Sequence, residues 1–390
     1  MKMQRNHIDL TTFLAVLILM VMSLGVVYSA SSTYALARLG GSGKLFGSHA
    51  LKVLLGFAAI FVFMQIDYRI YRKITKPVLL GGVLLLLVTV VLGGEVKGAS
   101  RWLRLGGFGL QPSEFVKYAL VFHLCTLVAE KKDRIKDFKT GFLPMLVWIG
   151  GVTVLVLAQP NFSTGAMIFA ISIVILYLGR AKVWHIALTL GGLVPFLVVY
   201  MMSAAYRKDR ILNFIGSAGA SAGGNYQSRQ AIIGFGNGGL FGLGPGGSRQ
   251  RDLWLPESYG DFVFSIVGEE YGLLGTLLIV ALFLAIMLRG MKIARHAPDE
   301  FGRMLAGGIT ATITLYALIN AGVTLGILPT TGLPMPFVSY GGSSLLFTSM
   351  AVGVLLNISM QTDMHPRVSG APEGVRPVEP MRAQGAGKVY

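Results

Sequence analysis

Ten stretches of this chain are long and apolar enough to be read as helices in lipid, and no other feature limits its fold so strongly. A transmembrane helix needs about 20 mostly apolar residues. The stretches are Leu10–Tyr28, Ala50–Ile66, Val78–Leu92, Phe115–Ala129, Phe142–Ala158, Thr164–Leu178, Ile186–Ala204, Phe262–Leu288, Met304–Leu325 and Ser344–Met360. The third, fourth and sixth are short for a full span. Hydrophobic residues make up 53% of the chain and charged residues 13%, against about 25% charged in a soluble domain. This balance excludes an ordinary soluble globule and a disordered chain. It also excludes a nucleic-acid binder, in spite of a net charge of +16. An all-α polytopic membrane protein remains. The one cysteine, Cys125, lies in an apolar stretch, so an internal disulfide and a Cys-based metal site are both ruled out.

The first run has Lys2 and Arg5 ahead of it and the small residues Ser29 and Ala30 behind it, as a signal peptide would. Its core is long for that role and nine more runs follow, so it is read as a retained first span. Lys and Arg in the short loops give the orientation. Basic loops follow every even-numbered span: Arg69 to Lys76, Lys131 to Lys139, Arg180 with Lys182, and Arg289 to Arg303. Both termini are therefore expected in the cytoplasm. Residues 1–9 form a short cytoplasmic start, 10–362 the ten-helix domain, and 363–390 a disordered cytoplasmic tail. A large outer loop, 205–261, is expected between spans 7 and 8.

Two outward loops carry cations that the charge bias would not place there. One holds Lys97, Arg101, Trp102 and Arg104; the other holds Arg207, Lys208, Arg210, Arg229, Arg249 and Arg251. Either long loops simply escape the rule, or these residues form an anion-binding surface. The second reading makes the cations of both loops candidate anion ligands.

Asp261 stands where this loop meets an apolar helix, near Glu257, Glu269 and Glu270. It is either a helix cap or a carboxylate with chemistry to do. Asp261, Ser265, Gly268 and Gly272 share one helix face. A partly desolvated carboxylate there could act as a general base. Glu114 and Lys117 share a face at the start of the fourth span, with Ser113 read as the N-cap. The pair is either a structural ion pair or a substrate contact. Gly234-Phe-Gly236-Asn-Gly-Gly239 matches a dinucleotide fingerprint but lacks a βαβ setting, so its glycines are read as turns or anion-facing backbone. The segment Leu328 to Ser344 is too rich in Pro and Gly for a continuous helix. Irregular backbone at membrane depth must line protein or a wet cavity. Ser339, Gly341 and Gly342 in it are taken as substrate contacts, with Trp102 and Glu257. Gln159-Pro-Asn161 reads as a smaller break of the same type, and the six histidines show no ligand spacing.

Taken in order, these segments resemble the SEDS family (shape, elongation, division, sporulation). The matching pieces are Gly98-Ala-Ser-Arg-Trp-Leu103, Gln111-Pro-Ser-Glu-Phe-Val-Lys117, Gln159-Pro160, the glycine-rich stretch to Ser248, Leu255-Pro-Glu257 with Asp261-Phe262 and Gly268-Glu-Glu270, and Gly332 to Ser344. They cover roughly Leu10 to Gln361. The resemblance implies a ten-helix fold and a peptidoglycan glycosyltransferase that polymerises lipid II at the outer face of the bacterial plasma membrane. It implies Asp261 as the catalytic carboxylate and Glu114 with Lys117 as a buried charged pair. It implies a class B penicillin-binding protein as transpeptidase partner, beside other division proteins. The Gly-Glu-Glu and Ser-Tyr-Gly-Gly-Ser-Ser runs are closer to the division member than to the elongation member. Two sites depart from the family pattern. Tyr259-Gly260 stand where His-Thr is common, and Asn161 stands where Asp is common.

In such a reaction one sugar hydroxyl attacks the anomeric carbon of a second lipid-linked disaccharide, and undecaprenyl diphosphate leaves. A base must take the proton, and cations must meet the departing charge; Arg101, Arg104, Arg249 and Arg251 are the candidates, because guanidinium forks match phosphate oxygens. No metal-ligand set is visible; a divalent cation, Mg²⁺ or Mn²⁺, is an option rather than a requirement. Within the family the alternative is an elongation-type polymerase; outside it, a lipid II flippase. The clustering of Asp, Glu and Arg at the outward ends of the spans favours chemistry there over a polar crossing path.

Overall fold

Each of the ten apolar stretches folds as a helix in the computed structural model, which describes residues 6–41, 43–92, 94–96, 99–105, 108–202, 226–252, 254–256 and 258–364. The helices are α1 (Leu10–Leu39), α2 (Gly43–Gln65), α3 (Tyr68–Leu92), α4 (Pro112–Lys131), α5 (Leu143–Ala158), α6 (Phe162–Leu178) and α7 (Val183–Met202). After them come α8 (Tyr226–Gly238), α9 (Val263–His296), α10 (Glu300–Thr324) and α11 (Gly342–Ser359). Among the described residues eight helical runs are long and apolar enough to cross a membrane. The other two apolar stretches form α4 and α6. The first turn of α4 carries Glu114, and Lys117 follows; α6 is only 17 residues long. Both are enclosed by neighbouring helices, so the bundle and not lipid meets most of their surface. The chain is a multi-pass helical membrane protein.

Helix α1 starts where the Asp9 carboxylate accepts from Thr12 N at 2.9 Å, and it stops at Gly40 in the left-handed region. Its beginning meets the end of α11: Asn6 N donates to Met360 O at 2.8 Å, and Asp9 N to Ser359 Oγ at 3.0 Å. Arg289, near the end of α9, pairs with Asp9 there. This is the terminal end of the bundle. Helices α4, α10 and α11 form its centre, with Val116, Leu120, Ile309, Ile313, Val352 and Leu355 all fully buried. Helix α7 lies at the margin and leaves Trp184, Phe196 and Val199 exposed, as a lipid-facing helix would.

The opposite end carries what the apolar pattern did not announce. A three-stranded antiparallel meander forms there from β1 (Gly94–Val96), β2 (Ala99–Leu105) and β3 (Phe108–Leu110). The stretch from Tyr226 to Gly238 is helical, so Gly234 and Gly236 lie within α8 and not in turns. Ser113 is not the cap of α4: Gln111 holds that position and Pro112 opens the helix. The expectations for 205–225, Glu257 and 365–390 lie outside the described residues, as do those for the side chains of Arg101 and Arg104.

Candidate active site

Helix α9 begins at Val263, and its N-cap position is Phe262, with no side-chain cap bond. Asp261 therefore precedes the cap, half-buried, in the turn that leads into the helix. Its Oδ2 lies 3.3 Å from where a Cβ on Gly332 would stand. Gly332 has φ +71°, a conformation that favours glycine. The carboxylate thus faces the bare backbone of the Pro- and Gly-rich segment.

The side chain that fixes this meeting is Asn320 of α10. Its Nδ2 donates to Asp261 O and to Leu333 O, both at 2.7 Å. One amide therefore ties the head of α9 to the broken segment, next to Gly332. The sequence reading did not single out Asn320, although an amide in an otherwise apolar run was the available signal. Tyr340 N donates to Tyr259 O at 2.9 Å and ties the two segments a second time.

The sequence-selected residues of the broken segment have structural tasks in this arrangement. Ser339 is buried; its hydroxyl accepts from Met335 N at 2.8 Å, and its N–H donates to Met335 O at 3.1 Å. Gly341 holds the N-cap position of α11 and Gly342 opens the helix. Next to them Ser343 Oγ accepts from Gln111 N at 3.0 Å and donates to Gly109 O at 3.1 Å, which pins the meander to the site end. Trp102 on β2 packs over Gly109 on β3, where a Cβ would meet the indole at 3.3 Å.

The glycine-rich loop after α8 is held by two buried carboxylates. Glu269 accepts from Ser248 Oγ at 2.5 Å, Asn237 Nδ2 at 3.1 Å and Gln250 N at 3.2 Å. Glu270 accepts from Ser29 Oγ at 2.5 Å. Helix α9 is interrupted at Gly272, whose φ is +63°. The freed carbonyls of Glu269 and Glu270 accept from Leu243 N at 2.9 Å and Gly244 N at 3.0 Å. Irregular backbone is tolerated at such depth because neighbouring protein satisfies it. Ser265, Gly268 and Gly272, expected to share one helix face with Asp261, form the seat on which α8 and this loop pack. A Cβ on Gly268 would overlap Phe235, and one on Gly272 would come within 2.6 Å of Leu240 backbone.

The loop's arginines divide. Arg249 is exposed. Arg251 turns inward: Nη1 donates to Ser29 Oγ at 3.0 Å, and Nε lies 3.6 Å from Asp252 Oδ1. Glu114 and Lys117 form an ion pair of 2.7 Å with side chains 3% and 2% exposed. The ammonium also lies 4.0 Å from the centroid of the Tyr316 ring. A pair so enclosed depends on both members, because removing one strands the other charge.

The features that mark this chain are a multi-pass helical bundle and a half-buried carboxylate that faces a Pro- and Gly-rich break between two helices. The family described as cell cycle protein, comprising FtsW, RodA and SpoVE, matches residues 9–364, and the chain belongs to it. It is 39% identical over 353 residues to the probable peptidoglycan glycosyltransferase FtsW of Geobacter metallireducens, covering 90% of this chain and 94% of that one. It is 37% identical to stage V sporulation protein E of Bacillus subtilis, covering 92% and 99%. Among solved structures, a chain from a peptidoglycan synthase complex that coordinates polymerization and crosslinking matches with TM-score 0.72 and 24% identity, covering 90% of this chain and 97% of that one. The rod shape determining protein RodA of Thermus thermophilus matches with TM-score 0.68 and 23% identity, covering 91% and 98%. Both structures share the SEDS fold with this chain.

Proposed function

We propose that this protein is a peptidoglycan glycosyltransferase that polymerises lipid II during cell division, with its active site at the outer face of the bacterial plasma membrane. The observation that carries this is Asp261, a half-buried carboxylate fixed between the head of α9 and the Gly332 break. The names of the FtsW relatives support the reaction class. Asp261 takes the proton from the attacking sugar hydroxyl as the new glycosidic bond forms. Undecaprenyl diphosphate leaves with the electron pair of the broken bond, and cations at the site end meet its charge. Attack opposite the leaving group turns an α-linked donor into a β-linked product. Among the described residues no three His, Cys, Asp or Glu side chains gather as a metal cage. A bound Mg²⁺ or Mn²⁺ would help to neutralise the charge of the departing diphosphate. A class B penicillin-binding protein is the expected transpeptidase partner, in line with the synthase complex that shares this fold.

The test is polymerisation of lipid II by the purified protein, with and without that partner, for wild type and Asp261→Asn. The asparagine keeps the shape and removes the proton acceptor, so turnover should fall about 10²–10⁴-fold with an unchanged melting temperature. A variant that still makes glycan strands at a substantial fraction of the wild-type rate would remove the assignment. Wild-type protein that moves lipid II across vesicles without polymerising it would place the flippase reading ahead.

A further inference from the structure

Six cations among the described residues are buried or half-buried as whole residues: Lys52, Arg69, Lys117, Lys131, Arg251 and Arg289. Five of them have an oxygen partner. Arg69 meets Asp299, Lys117 meets Glu114, Arg251 meets Asp252 and Arg289 meets Asp9. Lys131 donates to Thr140 O. Lys52 has no oxygen acceptor and no carboxylate among the described residues. Its ammonium stands 3.9 Å from the centroid of the Tyr340 ring.

Lys52 lies in α2, which runs from Gly43 at the site end, so it is roughly 13 Å down the helix from that end. A lysine at this depth is costly and is retained where it faces protein, a wet cavity or a ligand. Its neighbours decide which. The Lys52 stem reaches the start of α11, where a Cβ on Gly342 would stand 3.2 Å from Cε and 3.8 Å from Nζ. Tyr340 beneath it is bonded through its N–H to Tyr259, two residues before Asp261, and the two rings meet edge to face at 5.7 Å. Among the described residues, the one half-buried cation without an oxygen partner therefore stands one aromatic ring away from the turn that carries the carboxylate. Cation–π contact leaves the far side of an ammonium open to an anion.

We infer that Lys52 is a substrate-binding residue that contacts the diphosphate of a lipid-linked sugar in the Asp261 site. This rests on the proposed function for the identity of the ligand, and it names a contact on the leaving group. Lysine suits the task as a compact charge with three donors that can follow the phosphate as the bond breaks.

The test uses the full-length protein in nanodiscs of neutral lipid. Undecaprenyl diphosphate is added, and binding is read from the rise in melting temperature across a concentration series. Lys52→Met keeps the aliphatic stem and removes the charge, and Lys52→Arg keeps the charge. Wild type and Lys52→Arg should bind; Lys52→Met should bind about tenfold to hundredfold more weakly. In the polymerisation assay Lys52→Met should raise KM by a similar factor. If Lys52→Met does not fold, Lys52→Gln serves in its place. A staple on Tyr340 without a ligand role predicts a lower melting temperature of the free protein with unchanged diphosphate affinity and KM, and that result overturns the inference. Phosphatidylglycerol is the second arm. Equal stabilisation by it, lost in Lys52→Met, would make Lys52 a bilayer-lipid contact and overturn the inference as well. Should wild type bind the diphosphate through Lys52 yet polymerise nothing, the reaction fails and the contact stands. Should it polymerise while Lys52→Met matches wild type in affinity and KM, the contact fails alone.

Discussion

Asn320 serves two carbonyls with one amide nitrogen, and one of them belongs to Asp261. Replacing it with leucine leaves both carbonyls without this donor, in a place where little water can compensate. An unpaired buried acceptor costs about 1–3 kcal/mol, so Asn320→Leu should lower the melting temperature. The sharper consequence concerns the reaction. Without the tie, the head of α9 and the Gly332 segment are free to separate, and the carboxylate loses its fixed position. Asn320→Leu should therefore lower kcat for lipid II with little change in KM. In an Asp261→Asn background the same substitution should lower the residual rate no further, because two residues that act as one unit are not additive. Equal loss of rate in both backgrounds would make Asn320 a purely structural residue.

At the scale of elements, the break in α9 is the feature on which the glycine-rich loop depends. Gly272 has a positive φ, and a Cβ there would stand 2.5 Å from Gly242 N. Gly272→Ala therefore combines backbone strain with a clash against the loop's own backbone. Such strain costs on the order of 1–3 kcal/mol, and the loop, held by Glu269 and Glu270, should detach before the bundle does. Limited proteolysis between Gly239 and Arg251 should speed up in Gly272→Ala while the helices stay protected. Cleavage at the wild-type rate would show that the loop does not rely on the break. This element also shows where sequence reading stops. The ten apolar runs located ten helices, because a run of apolar residues is a local signal, even where the bundle encloses the helix as it does α4 and α6. Asp261, the Glu114–Lys117 pair and the irregular segment before Ser344 were legible for a related reason: charge and proline are conspicuous in an apolar setting. Helix α8 was not, since three glycines at its end read as turns, and the seat that Gly268 offers it lies in a distant part of the chain. The meander was hidden among glycines, and its anchor, Ser343, acts from a distant part of the chain. Arg251 was chosen for its charge, and nothing local to it announces that Ser29 will take it.

For the whole molecule, the structure brings the start of α1 and the end of α11 to one end and gathers Asp261, the meander and the glycine-rich loop at the other. Basic residues crowd the terminal end, where Lys131 to Lys139 and Arg289 lie. The positive-inside bias predicts that this end is cytoplasmic and that Asp261 is outside. Two engineered cysteines in a Cys125→Ala background test this on intact spheroplasts. Cys125 is buried and its thiol contacts Met304 O at 3.2 Å, so alanine removes a reactive group at modest packing cost. Lys136 has a side chain 50% exposed, on the loop between α4 and α5. Arg249 is exposed in the glycine-rich loop. A membrane-impermeant maleimide should label Arg249→Cys on intact spheroplasts, and Lys136→Cys only after permeabilisation. The reverse pattern would put Asp261 on the cytoplasmic side, where a polymerase acting on outward-facing lipid II could not reach its substrate. The charge bias and the catalytic reading would then fail together.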